Sequence, residues 1–250
     1  DPAQLEHGEE QEEDPCDHRD GRDELHRVVV GGAKNAVLPA MTASLLTDEP
    51  IVLTNVPDVW DVGTMRRLLT ELGVRVEASD TKSLKLHMPE LRSYEAPYEL
   101  VKTMRASVMV LGPLVARHGK ARVSLPGGCS IGARPIDFHI SALEKLGAKI
   151  QIEHGFVDAT ANGLKGTEIY FDDVTVTGTE NILMAACFAR GVTVLQNCAE
   201  EPEVVDLASL LNKMGARIEG AGTRTIHVEG VERLRGTEHD VIPDRIEAGT

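Results

Sequence analysis

One short segment occurs three times in the chain, and this repeat restricts the possible folds more than any other feature. Each copy has a helical spacing of apolar residues that ends at a glycine, and an alternation typical of a strand follows. Because glycine readily adopts the left-handed conformation at a helix end, Gly73, Gly147 and Gly215 are expected to end three equivalent helices. The copies are Leu69–Glu77 (LTELGVRVE), Leu143–Gln151 (LEKLGAKIQ) and Leu211–Glu219 (LNKMGARIE).

A second pattern lies upstream of each copy, and it predicts a helix followed by a strand that ends near a proline. Each unit is then a helix, a strand, a helix and two strands. We therefore predict an α+β domain of three such units in a quasi-threefold arrangement. The first helices are predicted at Ala36–Leu46, Ala106–Ala116 and Ile182–Ala189, and the strands after them at Ile51–Thr54, Ala121–Pro126 and Val192–Leu195. The closing strand pairs are Val74–Ala78 with Leu84–His87, Ala148–Ile152 with Phe156–Ala159, and Ala216–Glu219 with Thr225–Val228.

Charged residues mark the predicted start of each first helix. Lys34, Arg105 and Glu180 lie at nearly the same distance before the proline that follows each first strand. A cation is unfavourable at a helix N-terminus, where unpaired N–H groups carry partial positive charge. We expect an external anion to offset this cost at Lys34 and Arg105. For either residue alone, a solvated surface charge is the alternative interpretation.

The segment Pro126–Pro135 (PGGCSIGARP) combines adjacent glycines with a thiol and a guanidinium. Two adjacent glycines allow a sharp turn and a close approach to a ligand. Arg134 offers a planar fork that suits a carboxylate or a phosphate. A surface turn with an incidental Cys129 is the alternative, since free cysteine is often buried. Taken with Lys34 and Arg105, the segment favours a small, negatively charged substrate.

Composition excludes several classes of function. A net charge of −14 and an aromatic content of 3% argue against nucleic acid as a partner. Much of the negative excess lies in residues 1–27, which are predicted to be a disordered acidic tail. No apolar run spans a bilayer and no signal-peptide pattern is present, so no membrane partner and a cytoplasmic location are predicted. Neither metal nor cofactor is expected, because the cysteines and histidines lack ligand spacing.

Five motifs resemble those of the UDP-N-acetylglucosamine 1-carboxyvinyltransferase family of enolpyruvyl transferases. The resemblance runs in register from about Gly31 to Thr250. It implies transfer of the enolpyruvyl group of phosphoenolpyruvate to the 3-hydroxyl of UDP-N-acetylglucosamine, the first committed step of peptidoglycan synthesis. The motifs are Gly32–Asn35 (GAKN), Val101–Ser107 (VKTMRAS), Leu111–Arg117 (LGPLVAR), Pro126–Pro135 and Pro243–Thr250 (PDRIEAGT).

The resemblance also implies roles for individual residues. Lys34 and Asn35 would bind phosphoenolpyruvate. Cys129 would be the general acid that protonates the methylene carbon, on a loop that closes over substrate and is a target of fosfomycin-type epoxides. The residues implied to hold the nucleotide sugar are Arg105, Arg134, Pro135, Ile136, Asp137 and Phe138, together with Asp173, Val174, Thr175 and Val176.

The family architecture implies two domains of three repeats each, with the active site in the cleft between them. Residues 28–242 are then expected to form one domain, and residues 243–250 the start of a second. The chain is interpreted as an N-terminal fragment or a truncated member, inactive until a C-terminal domain completes the cleft. Trp60 and Asp173 stand where the family leads us to expect basic residues, and only Leu25–Val30 represents the strand expected before GAKN.

Three alternatives to this function remain open from the sequence. A shikimate-pathway enolpyruvyl transferase has the same architecture, although the PGGC segment argues against it. A non-catalytic binding module of the same fold would use the acidic tail to hold a basic partner. A redox sensor at Cys129 would require a depressed pKa and a resolving cysteine, and neither Cys187, in a predicted apolar helix, nor Cys198, after a predicted strand, is an evident one.

Overall fold

A computed structural model of the chain describes residues 30–80, 82–125 and 136–249. No helix within these ranges is both long and apolar enough to cross a membrane. The helices are α1 (Lys34–Thr42), α2 (Trp60–Leu72), α3 (Tyr98–Val101), α4 (Leu111–His118), α5 (Asp137–Lys145), α6 (Val176–Ala186), α7 (Pro202–Lys213) and α8 (Arg245–Ala248), with 3-10 helices at Ala43–Leu46 and Arg105–Val110. The strands are β1 (Ile51–Thr54), β2 (Arg75–Asp80), β3 (Ser83–His87), β4 (Glu95–Ala96), β5 (Lys120–Ser124), β6 (Lys149–Glu153), β7 (Phe156–Thr160), β8 (Glu168–Tyr170), β9 (Val192–Gln196), β10 (Arg217–Glu219), β11 (Thr225–Glu229) and β12 (Glu238–Asp240).

The three predicted units are present, and each builds one small sheet. The first unit contains α1, β1, α2, β2 and β3, and the second and third units follow the same order. The predicted α+β repeat is therefore confirmed. The first helices differ from the prediction in detail, because those of units one and two each combine an α-helix with a 3-10 helix. In unit three, α6 begins at Val176 rather than at Ile182.

Each sheet also contains a fourth strand that the sequence analysis did not predict. The strand orders are β12-β1-β3-β2, β4-β5-β7-β6 and β8-β9-β11-β10. In every sheet the added strand comes from the preceding unit and pairs in parallel with the first strand of the next. Because β12 of unit three pairs with β1 of unit one, the units close into a ring. Strands of two or three residues are too short to show a reliable alternation in sequence.

The chain also closes beside the start of α1. Ala33 donates a backbone hydrogen bond to the Ile242 carbonyl at 2.8 Å, and Asp244 donates one to the Gly31 carbonyl at 2.8 Å. These bonds hold the segment after β12 against the residues that precede α1. The proposed division of the chain near residue 242 stays a prediction.

The helices occupy two kinds of position. The inner helices α1 and α6 are buried over most of their length, and α6 is buried from Gly178 to Ala186. The outer helix α2 instead buries one face that includes Met65 and Leu69. A helix that is apolar all round belongs in an interior, whereas a one-sided helix covers a core. The core therefore lies between the first helices of the units and the three sheets.

The repeated glycines end the second helix of each unit as expected. Gly73, Gly147 and Gly215 have φ angles of 119°, 100° and 104°, all in the region that favours glycine. The prediction of three equivalent helix ends is confirmed.

Candidate substrate-binding site

A cavity of about 690 Å³ lies where the starts of the first helices of all three units meet. Outer helices α2 and α5 contribute further side chains. Residues from every unit therefore contact one space, although they are far apart in sequence. The lining residues are Lys34, Asn35, Leu38, Asp61, Thr103, Met104, Arg105, Ala106, Val108, Ile136, Phe138, His139, Val174, Thr175, Val176 and Thr177.

Most of the predicted binding residues that the structure describes are brought together here. Asp137, the first residue of α5, and exposed Asp173 are described but do not line the cavity. Cys129, Arg134 and Pro135 lie outside the described residues. The roles assigned to all of these residues stay predictions. Those that line the cavity are Lys34, Asn35, Arg105, Ile136, Phe138, Val174, Thr175 and Val176.

Lys34 is the first residue of α1, and two carboxylates of the chain itself lie beside it. Its Nζ is 3.1 Å from Oδ2 of Asp61, and its backbone N–H donates to Oδ2 of Asp244 at 3.3 Å. Burial alone would raise the pKa of Asp244, but hydrogen bonds from backbone N–H groups, including that of Lys34, lower it overall. The sequence argument for an external anion at this helix start is therefore incomplete, because it could not detect these distant carboxylates.

Arg105 begins the 3-10 helix of unit two and is exposed at the cavity. Its guanidinium makes no ion pair with any residue that the structure describes. A planar guanidinium without a carboxylate partner can take a phosphate or carboxylate in a bidentate manner. Of the two cations predicted to bind anions and described here, Arg105 is thus the less neutralised by the chain.

The start of α6 is the third helix terminus at the cavity. Thr175 caps it and accepts a hydrogen bond from the Gly178 N–H at 3.2 Å. Thr175 and Thr177, which carry hydroxyl groups, are among the lining residues beside this terminus. The N-terminal end of an eleven-residue helix carries a partial positive charge, which favours an anion.

Glu180 does not begin a helix, and that part of the repeat comparison was wrong. It lies within α6 with only 1% of its surface exposed. Burial, and then the charges of Glu203 and Glu201, raise its pKa well above the ordinary value of 4.5. At a pH near 4.5 the buried side chain is therefore protonated and uncharged. Glu180 and Lys34 lie at nearly equal distances before a proline, but α6 begins at Val176, four residues before Glu180, whereas α1 begins at Lys34 itself.

His139 follows the predicted residues 134–138 and was missed by the sequence analysis. It lines the cavity, is 4% exposed, and contacts buried Asn181, with its Nδ1 2.8 Å from the Asn181 Nδ2. Burial, and then the charge of Arg105, lower the pKa of His139 to about 4. The imidazole is therefore neutral at physiological pH. Its position next to a predicted motif was the available signal.

Two positions depart from the basic residues that the resemblance leads us to expect. Trp60, at the start of α2, is 75% exposed, and the Arg67 guanidinium lies over its ring at 5.6 Å. Trp60 itself does not line the cavity, although Asp61 beside it does. Asp173 is exposed next to the lining residue Val174. Both departures thus lie next to the cavity lining.

The described cysteines do not suit a resolving role. Cys187 and Cys198 are buried, and burial raises their pKa values to about 12 and about 11. A resolving cysteine must form a thiolate, which these values disfavour at neutral pH. Neither therefore supports the alternative of a redox sensor at Cys129, which itself lies outside the described residues.

Comparison with known proteins shows the family of the chain that forms this cavity. Residues 22–250 match the family model described as EPSP synthase (3-phosphoshikimate 1-carboxyvinyltransferase). The chain belongs to this family. The match includes every described residue of the three units, so it covers all the elements that form the cavity.

Curated relatives are similar over most of the chain. Three are named UDP-N-acetylglucosamine 1-carboxyvinyltransferase, one of them with the suffix 2. The protein of Koribacter versatilis is 60% identical over 93% of this chain and 54% of its own length. Those of Solibacter usitatus and Carboxydothermus hydrogenoformans are 59% and 57% identical, over 89% and 90% of this chain and 53% of their own lengths. The chain thus spans about half the length of these relatives.

Solved structures show the same fold. The enolpyruvyl transferase NikO of Streptomyces tendae is 25% identical, with a TM-score of 0.77 over 88% of this chain and 52% of that chain. An EPSP synthase of Acinetobacter baumannii, 19% identical, gives a TM-score of 0.70 over 88% of this chain and 50% of its own. The second likeness concerns the fold alone. The predicted fold class is confirmed.

Proposed function

We propose that this chain provides part of the active site of a UDP-N-acetylglucosamine 1-carboxyvinyltransferase. The observation that carries the proposal is the meeting of Lys34, Arg105 and the start of α6 at one cavity. Three relatives with this name, at 57–60% identity, support the choice of nucleotide sugar over shikimate 3-phosphate. The reaction would serve peptidoglycan synthesis.

The chemistry of the substrates fits the charges at the cavity. Phosphoenolpyruvate carries a phosphate and a carboxylate, and a nucleotide sugar carries a diphosphate. We assign Lys34 and Asn35 to phosphoenolpyruvate, and Arg105 with residues 134–138 and 173–176 to the nucleotide sugar. Cationic side chains and helix N-termini bind such anions through charge-assisted hydrogen bonds.

In the proposed reaction, the 3-hydroxyl oxygen of the sugar forms a bond to C2 of phosphoenolpyruvate. Cys129 donates a proton to the C3 methylene carbon, which becomes a methyl group, and the hydroxyl proton is released. Loss of phosphate, with a proton from that methyl group, then regenerates the double bond. A thiol with an ordinary pKa of ~8.5 is largely protonated at neutral pH, so it can act as this acid.

Because the chain spans about half the length of its relatives, we propose that turnover requires residues matching the other half. A C-terminal domain would supply the opposite wall of the proposed cleft. The acidic tail, the cytoplasmic location and fosfomycin-type alkylation of Cys129 stay predictions of the same proposal.

A chimera tests the proposal directly. Residues 22–250 would replace the matched segment of the Koribacter relative, and phosphate release from phosphoenolpyruvate would be measured with each acceptor. We expect turnover with UDP-N-acetylglucosamine and none with shikimate 3-phosphate. The reverse preference would support the shikimate alternative and overturn this proposal.

Substitution of the proposed acid separates an enzyme from a binding module. In the chimera, Cys129→Ala is expected to lower kcat at least about 100-fold, because general acid catalysis commonly contributes that much. Cys198→Ala is the matched control, since this thiol is buried away from the cavity. Equal rates for the two variants would contradict the role of Cys129.

A further inference from the structure

The buried side chain of Asn181 connects three segments around the cavity. Its Oδ1 accepts a hydrogen bond from the Gly112 N–H at 2.8 Å. Its Nδ2 donates to the Val108 carbonyl at 3.3 Å and lies 2.8 Å from Nδ1 of His139. Asn181 thus belongs to α6 of unit three but contacts the first helix and α5 of unit two.

These partners determine the orientation of the amide. A backbone N–H can only donate and a backbone carbonyl can only accept, so Oδ1 must face Gly112 and the NH₂ group must face Val108. The same NH₂ group faces His139, whose Nδ1 must then accept. A Cβ at position 112 would overlap Oδ1 of Asn181, so the close approach that sets this geometry requires glycine there.

The orientation of Asn181 determines the tautomer of His139. A neutral imidazole has one protonated nitrogen, so a ring whose Nδ1 accepts carries its hydrogen on Nε2. Asn181 is fully buried and does not line the cavity, whereas His139 does. Nδ1 is thus engaged by the buried amide, which leaves the Nε2–H as the ring donor available to a ligand in the cavity that His139 lines.

The charge state of His139 suits a donor beside a cation. Arg105 lines the same cavity, and its charge contributes to the lowered pKa of His139. A neutral ring adds a directed N–H without adding repulsion to Arg105. An oxygen that is attracted by Arg105 would then find a second donor at a defined position.

We propose that Asn181 is a positioning residue that holds His139 as its Nε2–H tautomer, and that this N–H donates to a phosphate oxygen of a ligand bound by Arg105. The inference rests on the proposed function, which makes that ligand the diphosphate of the nucleotide sugar. It adds a donor, and the residue that orients it, to the predicted set.

The tautomer is measured without any ligand. In the 250-residue chain labelled with ¹⁵N-histidine, two-bond ¹H–¹⁵N spectra distinguish protonated from unprotonated ring nitrogens, and His139→Gln assigns the signal. We expect an unprotonated Nδ1 and a protonated Nε2 at pH 7. In Asn181→Asp, whose carboxylate can only accept from the ring, Nδ1 is expected to become protonated. A protonated Nδ1 in the wild type, or no change in the variant, would overturn the tautomer assignment.

Asn212→Asp is the matched control for that substitution. Asn212 also bridges a backbone N–H and a carbonyl, both of Ile218, but it lies away from the cavity. This variant is expected to leave the His139 signal unchanged. A change as large as that in Asn181→Asp would show that general destabilisation, not the amide contact, alters the ring.

The donor is tested by calorimetry of the chimera, which contains both halves of the proposed cleft, with UDP-N-acetylglucosamine. His139→Leu removes the N–H and is expected to weaken binding about tenfold, whereas His139→Gln keeps a donor and should recover part of that loss. Equal affinities for wild type and His139→Leu would overturn the donor role. If the wild type has the expected tautomer but does not bind this nucleotide sugar, the proposed function and the ligand named here fail, while the tautomer assignment stands.

Discussion

Units one and three differ in chemistry at two residues that lie at nearly the same distance before a proline but at different places in their helices. Lys34 begins α1, with 45% of its side chain exposed beside the cavity. Glu180 lies inside α6 with 1% exposed, and its Oε1 has no hydrogen-bond partner among the described residues. The backbone repeat is thus shared, but the cavity depends on how the units differ. Units one and two contribute the cations Lys34 and Arg105 to the cavity, whereas the helix start of unit three contributes no charged side chain to its lining.

The largest expected effect comes from placing the lysine of unit one at residue 180 of unit three. Glu180→Lys places an ammonium group where a buried carboxyl group with a raised pKa stands, and we expect the free energy of unfolding to fall by about 4 kcal/mol or more. Urea denaturation at pH 7 measures this. Glu180→Gln keeps the shape and an uncharged group, so its cost should stay within about 1 kcal/mol. Similar losses in both variants would show that packing, not charge, dominates this position.

The pH dependence of stability should separate Glu180 from His139. The pKa of Glu180 is raised in the folded chain, so its contribution is present below pH 4.5 and is lost as the pH rises through the raised value. The pKa of His139 is lowered from 6.5 to about 4, so its contribution is present above pH 6.5 and is lost as the pH falls toward 4, on the order of 3 kcal/mol.

Urea denaturation between pH 4 and pH 8 measures both slopes. Relative to wild type, Glu180→Gln should gain stability as the pH rises. His139→Gln should lose less stability than wild type as the pH falls, although His118, whose pKa is also lowered to about 4, keeps part of that slope. Curves that run parallel to the wild type would contradict these assignments.

The glycines that end the second helices allow a smaller test of how far the units are equivalent. Both Gly73 and Gly147 have positive φ, but only at Gly73 would a Cβ meet backbone atoms, the Glu90 oxygen at 2.6 Å and the Arg92 nitrogen at 2.8 Å. Gly73→Ala is expected to cost about 3 kcal/mol, and Gly147→Ala about 1 kcal/mol. Chemical denaturation of both variants checks this, and equal costs would mean that backbone strain alone determines them.

A tenfold effect is expected on ligand binding, without a change in stability, at the start of α1. Lys34→Ala should weaken binding of phosphoenolpyruvate to the chimera about tenfold, or about 1.4 kcal/mol, with unchanged unfolding free energy. Lys85→Ala is a control of equal charge, because Lys85 lies in β3 away from the cavity. Calorimetry compares the two. A similar loss in the control would assign the effect to overall charge rather than to the site.

Much of the fold could be predicted because its signals are local. The spacing around Leu69, the glycines that end the helices and the alternation in β3 each depend on neighbouring residues. The short edge strands could not be predicted, since two or three residues carry too little pattern. Their pairing also depends on contacts between different units, such as Thr54 with Asp240.

The candidate site was predicted only in part, for the same reason. Lys34, Arg105 and Phe138 belong to recognisable motifs, and the structure places all three at one cavity. Asp61 stands in no motif that the sequence analysis used, and Asn181, next to Glu180, was given no role there. Each became relevant only through a contact made in the folded chain, with Lys34 and His139 respectively.

The sequence by itself determined the number of units, the order of their elements and the family, because periodicity, helix-ending glycines and long motifs can be read along the chain. The tertiary structure decided how the ring closes, that Glu180 is buried with a raised pKa while Lys34 is exposed, and which nitrogen of His139 carries the hydrogen. Burial and hydrogen-bond partners are properties of residues brought together from distant positions, so only folding determines them.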